Sequence, residues 1–317
     1  MGKKTRIFFA TDVHGSSKCF RKFVNGAKVY GAQVAVLGGD VAGKALQTIV
    51  RGADGRWHVD FIGTSYAVDE GPDLEALEKL IADHGYYPYR AREGELEARK
   101  ADGTLDGLFR DLMARRLQEW LSLADERLRP DGIRLFLMLG NDDPGELATL
   151  LDSAPWGEHA EGRVLPLDDD HEILSWGYSN VTPWHSYREQ SEEQLADTLA
   201  TMEARVADPG RLVVNVHVPP YGTGLDDAPV LDQTLRVVQV MGQVKFGPVG
   251  SPAVRAFLER VQPLVGLHGH IHEATGIRRL GRTIAINPGS DYSSGTLLGA
   301  LVSLERGKVT AHQLVRG

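Results

Sequence analysis

The chain has 317 residues, 42% hydrophobic and 25% charged, enough to bury a substantial core as one large or two ordinary domains. A net charge of -8 gives no overall basic field, which argues against broad electrostatic capture of DNA or RNA. The single cysteine, Cys19, excludes an intramolecular disulfide framework and points to a reducing compartment, with cytoplasm as the expected location.

The chain opens with basic residues and a four-residue apolar run at 7–10, too short for a signal-peptide core, so no signal peptide is expected. No run elsewhere approaches a membrane span, and no membrane partner is expected. Residues 7–10 read as a buried strand that delivers Asp12 and His14 at its end. A loop at 15–17 leads into a helix over 18–30, and a second buried strand at 34–37 stops at Gly38-Gly39-Asp40. Segments 46–50 and 57–62 read as a hairpin. Residues 73–128 read as mostly helical, with Leu105, Leu108, Phe109, Leu112, Leu117, Trp120 and Leu121 at helical spacing. The expected organisation is one domain over 1–317 with a helical insertion at 64–130, whose balanced charges suggest a solvated face.

Strands at 133–139, 212–216 and 264–267 again stop at polar residues: Gly140-Asn141, His217 and His268. A strand at 173–176 precedes His185, and strands at 283–286, 295–304 and 309–315 make the last quarter partly antiparallel. Five apolar strands, each ending at a potential ligand, are what an α/β sheet needs to gather a site at its carboxyl edge.

Seven side chains in this series suit divalent cations: Asp12, His14, Asp40, Asn141, His217, His270 and His272. In Asp12-Val13-His14 and His270-Ile271-His272, residues two apart on an extended chain face the same side. Asp40 offers two oxygens able to bridge two ions, and Asn141 a neutral oxygen, although Asn-Asp-Asp-Pro also resembles a helix cap. His217 precedes a stiff Val-Pro-Pro loop. His268 is read as a core residue or a support for the ligands, with direct ligation as the alternative. Tyr221, Thr223 and Asp226 on the loop after His217, and Asn287 in Asn-Pro-Gly-Ser, are candidates for contact with substrate.

The ordered motifs D-V-H, G-G-D, G-N-D-D, V-H-V-P-P and G-H-I-H, from Asp12 to His272, resemble those of the calcineurin-like metallophosphoesterases. Within that family the chain is similar to predicted bacterial and archaeal phosphoesterases with H-x-P-P after the lone His and N-P-G-S after G-H-x-H. The resemblance implies a four-layer α/β/β/α sandwich of two mixed sheets with two metals at the strand ends. It also implies a first site of Asp12, His14, Asp40 and His272, and a second of Asp40, Asn141, His217 and His270.

The family pattern usually reads G-N-H, and here Asp142 stands in place of that histidine. Two bound dications still lower the pKa of a bridging water, which supports in-line attack by hydroxide without it. Nearby cations push Asp142 toward ionisation, so it is expected to position water or tune the metals, with His185 as a candidate substitute acid. The expected activity is hydrolysis of a small-molecule phosphate mono- or diester by a phosphoric ester hydrolase carrying two divalent ions. Imidazole ligands favour the later metals over Mg, and Mn is the metal expected, with Fe or Zn as alternatives. A metal-bound regulatory or interaction protein with weak turnover and a manganese-dependent nuclease are the competing readings. Nucleic acid is not expected on charge grounds, and the oligomeric state is open. If Asp142 limits leaving-group protonation, Asp142→His should raise rates on alkyl monoesters more than on aryl phosphates in a side-by-side assay; unchanged rates on alkyl esters would count against this.

Overall fold

A computed structural model describes residues 4–317, and the first three residues of the basic N-terminal stretch lie outside it. Two sheets form its centre. In the first, the order is Lys308–Arg316, Leu298–Glu305, Thr5–Ala10, Val34–Gly38, Arg134–Met138 and Glu158–His159. Its last four strands run parallel, and the two C-terminal strands add antiparallel at one edge. In the second sheet, Glu172–Trp176, Leu212–Val216, Val265–Leu267 and Thr283–Asn287 run parallel, with Gly276–Leu280 antiparallel at the edge.

Strand alternation separates the layers. Ile7 and Phe9 point to one side and join Val36, Phe136, Ile173, Val213, Val265 and Ile286 in a buried seam between the sheets. Phe8 and Ala10 point to the other side, where Phe20, Phe23, Trp120 and Leu121 cover them. Those covering residues come from helices Ser17–Val29 and Leu105–Leu128, locked together by Phe20 stacked on Trp120 at 4.4 Å. On the outer face of the second sheet, Leu174, Val214 and Val216 pack against helices Glu192–Glu203 and Pro252–Val261. The result is the four-layer α/β/β/α sandwich. The helices start where their sequences supply caps: Ser16 Oγ accepts from Cys19 N, Ser191 forms a capping box with Gln194, and Ser251 accepts from Val254 N.

The stretch 73–128 holds three helices, Pro72–Asp83, Glu95–Ala101 and Leu105–Leu128, and also a strand, Tyr86–Ala91, that the helical reading did not include. This strand pairs parallel with Ala45–Arg51, and Trp57–Phe61 and Thr64–Val68 complete a small four-stranded sheet. Pro88 argues against a central strand, and the structure places Tyr86–Ala91 at the sheet edge, where proline is tolerated. A further extension at 227–248 carries two short hairpin pairings that periodicity did not reveal. No helix among the described residues is long and apolar enough to cross a membrane.

Phe136 is fully buried between the sheets, on the strand that leads to Asn141. Phe136→Ala should cost about 3–5 kcal/mol of stability, read as a lower urea midpoint; an unchanged midpoint would contradict a dry seam at this position.

Candidate metal centre

Hydrogen bonding between the first two strands does not stop where the strands stop. After Ala10 pairs with Leu37, Asp12 N donates to Gly39 O (3.0 Å), His14 N to Asp40 O (2.9 Å) and Gly15 N to Val41 O (2.8 Å). This zipper lays the loops carrying Asp12, His14 and Asp40 side by side. The loops turn sharply: Asp12, His14, Asp40 and His270 all have positive φ, between 37° and 66°. Left-handed backbone is costly for residues with a Cβ and concentrates where function demands it. Asp12 and His14 therefore meet through left-handed turns, and not through the extended alternation that their spacing suggested; the same holds at His270.

Six of the seven expected ligands fall into two groups. Ligand atoms of Asp12, His14 and His272 lie within 4.8 Å of one another, as do those of Asp40, His217 and His270. The groups interlock, since His14 Nε2 is 3.6 Å from Asp40 Oδ2 and His217 Nε2 is 3.9 Å from Asp12 Oδ1. A third overlapping group joins His14 and Asp40 to Asp142. His217 Nδ1 lies 2.8 Å from Gly38 O, which assigns its proton there and leaves Nε2 free. That Nε2 is buried with no hydrogen-bond partner. Asn141 shows the same pattern: Nδ2 donates to Asp142 Oδ1 and Ser186 Oγ, both at 2.9 Å, and Oδ1 is buried without a partner. Carboxylate oxygens, imidazole nitrogens and one amide oxygen, with buried acceptors unused, fit two divalent cations.

Charge supports the fit. Burial disfavours ionised Asp12 and Asp40, but His217, aided by His272 beside Asp12 and by His14 beside Asp40, holds both below the usual carboxylate range. Burial pushes His14 down to about 3 and His270 to about 4, so both are neutral and free to ligate. His217 goes the other way: Asp40 and Asp12 overcome its burial and raise it to about 9, so a cation bound there must displace a proton.

The supports are also buried. Asp143 accepts from Val41 N, Ala42 N and Gly140 N at 2.7–2.9 Å, tying the Asp40 loop to the Asn141 loop. Burial, with Asp40 nearby, raises Asp143 to about 7. Arg188 donates to Gly140 O, pairs with Glu161 and lies over the Tyr178 ring. His268 is buried with Nδ1 2.8 Å from Val216 O and belongs to neither group of ligands.

Other expected site residues take different places. Asn287 is fully buried and its amide is spent on Leu225 O, Gly269 O, Ile271 O and Gly289 N, so it shapes the His270 loop and has no group left for substrate. Thr223 donates its hydroxyl to Pro220 O, and Asp226 accepts from Gly222 N, Thr223 N and Gly250 N. Both hold the loop's shape. Tyr221 is exposed on that loop. His185 is exposed with positive φ, and it is its neighbour Ser186 that reaches Asn141.

Asp142 forms an ion pair with Lys44, Nζ to Oδ2 at 2.5 Å, which the sequence reading did not single out. Burial and Asp40 raise the Asp142 pKa against the pull of Lys44. Tyr292, also unanticipated, packs its ring 4.7 Å from that of His14. The small sheet reaches the site through Tyr87, whose hydroxyl accepts from Gly43 N at 2.9 Å. Arg116 of the long helix donates to Gly15 O at 2.7 Å.

No family model matches the chain. The uncharacterized protein MJ1162 of Methanocaldococcus jannaschii is 30% identical over 160 residues, half of this chain, and the chain spans 65% of that relative's length. A solved crystal structure aligns over 99% of both chains at 15% identity and TM-score 0.55. TT1561 of Thermus thermophilus aligns over 99% of both at 13% and 0.53. At these identities the likeness shows the fold alone. A dimetal phosphatase from Danio rerio aligns over 98% of both chains at 10% identity, with a TM-score of 0.41.

Gly140 packs against Asp40 so closely that a Cβ there would overlap Asp40 Oδ1 and its backbone nitrogen. Gly140→Ala should therefore lower metal content, measured by elemental analysis of the purified protein, while the circular dichroism spectrum is kept; full metal content would contradict this packing.

Proposed function

We propose that the protein is a metal-dependent phosphoesterase of the calcineurin-like type, hydrolysing a small-molecule phosphate mono- or diester at a dinuclear centre. One observation carries the reading: two adjacent groups of carboxylate and imidazole ligands interlock through Asp12 and Asp40, with His217 Nε2 between them, 3.4 Å from Asp40 Oδ2 and 3.9 Å from Asp12 Oδ1 and in no hydrogen bond. Such a pair of sites is suited to in-line displacement at phosphorus. The four-layer fold and the motif order support it.

Asp12, His14, Asp40 and His272 would hold one ion, and Asp40, Asn141, His217 and His270 the other. Bound there, divalent ions supply Lewis acidity toward a phosphoryl oxygen and lower the pKa of a water. The chain's own residues fix the geometry. Thr11 Oγ donates to Asp12 Oδ2 and the backbone N–H of Asp142 to Asp40 Oδ1, so each acid presents a set oxygen. The buried ligands and the loops cross-linked by Asp143 pre-organise the site, so little reorganisation accompanies reaction. Mn is the proposed metal, with Fe or Zn as alternatives, and a cytoplasmic setting is consistent with one buried free cysteine.

A metal-bound protein of weak turnover is the second reading, favoured by one feature: Asp142 is paired with Lys44 and is not free to protonate a leaving group. Activity above that of free metal separates the two. Metal analysis joined to a screen of nitrophenyl mono- and diesters, nucleotides and cyclic nucleotides should find about two ions per chain and hydrolysis of at least one class. Asp40→Ala should remove both metal and activity; retained stoichiometry would sink Asp40 as the shared ligand.

A further inference from the structure

Five of the seven expected ligands are almost wholly buried: Asp12, His14, Asp40, Asn141 and His217 are each 3% exposed or less. The groups that reach solvent beside them mark the open side, namely His272, Asp142 and Lys44, with side chains 26%, 24% and 47% exposed. Lys44 brings a cation there. Its ammonium is 2.5 Å from Asp142 Oδ2, and an Asp142 oxygen lies within 4.8 Å of ligand atoms on both His14 and Asp40. Asp142 is itself fixed by its backbone N–H on Asp40 Oδ1, 2.9 Å away.

We propose that Lys44 binds the phosphate of the substrate, its ammonium meeting a non-bridging phosphoryl oxygen at the mouth of the centre, with Asp142 as the residue that positions it. The proposal rests on the phosphoesterase reading for the identity of the substrate. An ammonium has three donors; Asp142 takes one and two remain for an anion arriving from solvent. Arg188, the other cation near the Asn141 loop, is spent on Glu161 and Gly140 O. Without Lys44, Asp142 would add a third carboxylate beside Asp12 and Asp40 and repel an anionic ester; the ion pair cancels that charge and leaves the cation on the solvent side. Lys44 is also held from behind. Gly43 N donates to Tyr87 Oη, and Ala45 opens the strand paired to Tyr86–Ala91, so the small sheet sets where the lysine stands. In hydrolysis the water oxygen forms the new P–O bond and gives up a proton to solvent, while the ester P–O bond breaks with its electron pair on the leaving oxygen, which takes a proton from solvent. Lys44 keeps its proton throughout, its charge opposing that which gathers on the phosphoryl oxygens.

The test compares wild type, Lys44→Met, Lys44→Arg and Asp142→Asn in metal-loaded protein, reading inorganic phosphate binding by calorimetry, metal content, and KM and kcat on nitrophenyl phosphate. Lys44→Met should weaken phosphate binding about 10- to 100-fold, the loss of one hydrogen bond to a charged group, with metal content unchanged. Lys44→Arg should restore most of the binding, and Asp142→Asn should weaken it. Phosphate affinity in Lys44→Met within about twofold of wild type, absence of phosphate binding to metal-loaded wild type, or loss of metal from Lys44→Met would each overturn the proposal. Active wild type with an unaltered Lys44→Met removes Lys44's role and leaves the phosphoesterase reading standing. Lys44-dependent phosphate binding without turnover on any ester does the reverse.

Discussion

Two carboxylates, Asp12 and Asp40, lie buried side by side at the end of a parallel strand pair, and most of the structure around them follows from that constraint. Taking an ionised acid out of water costs several kcal/mol, and two adjacent acids repel. The position is tolerable only where positive charge and hydrogen-bond donors compensate, and the chain supplies His217, His272, Thr11 Oγ and the backbone amides of Asp142 and His270. Four residues with positive φ add local backbone cost, offset by amides that continue the strand pairing into the loops. A fold that confines so much unfavourable charge and backbone to one sheet edge presents a candidate site for cations there.

The architecture exists to hold that edge still. Layers of buried Phe, Val, Ile and Leu set the strands, and the strands end together, so the ligand loops start from fixed points. Asp143 then locks the Asp40 loop to the Asn141 loop, while Asn287 locks the His270 loop to the strand beneath it. The segment between the second and third parallel strands contributes in three ways: Arg116 on Gly15 O, Tyr87 on Gly43 N, and the strand pairing that begins at Ala45, directly after Lys44. In this way a region with no metal ligand of its own still shapes the mouth of the site.

Much of this was legible in the sequence. Short apolar runs that stop at Asp12, Asp40, Asn141 and His217 are strong signals together, because each buried strand delivers a ligand-type residue to the same carboxyl edge. The helices at 18–30 and within 73–128 were legible from their spacing, whereas Glu192–Glu203 and Pro252–Val261 were not read, although Ser191 and Ser251 cap them. Tyr86–Ala91 was not legible, since Pro88 hides an edge strand that its three tyrosines favour. Asn287 looked like a substrate group because sequence shows its type and not its four hydrogen-bond partners. Lys44 was missed for a related reason: its meaning lies in Asp142, 98 positions away in the numbering, and only the paired loops bring them together. Its place four residues after Asp40, in a glycine-bounded loop, was the one available hint.

The central claim is that Asp40 stands between two cations. Anomalous diffraction from crystals loaded with manganese tests it most directly. The account predicts two peaks about 3.5–4 Å apart, one beside Asp12, His14 and His272, the other beside Asn141, His217 and His270, with Asp40 touching both. A single peak, or ions gathered at Asp142 with Asp40 unligated, would contradict it.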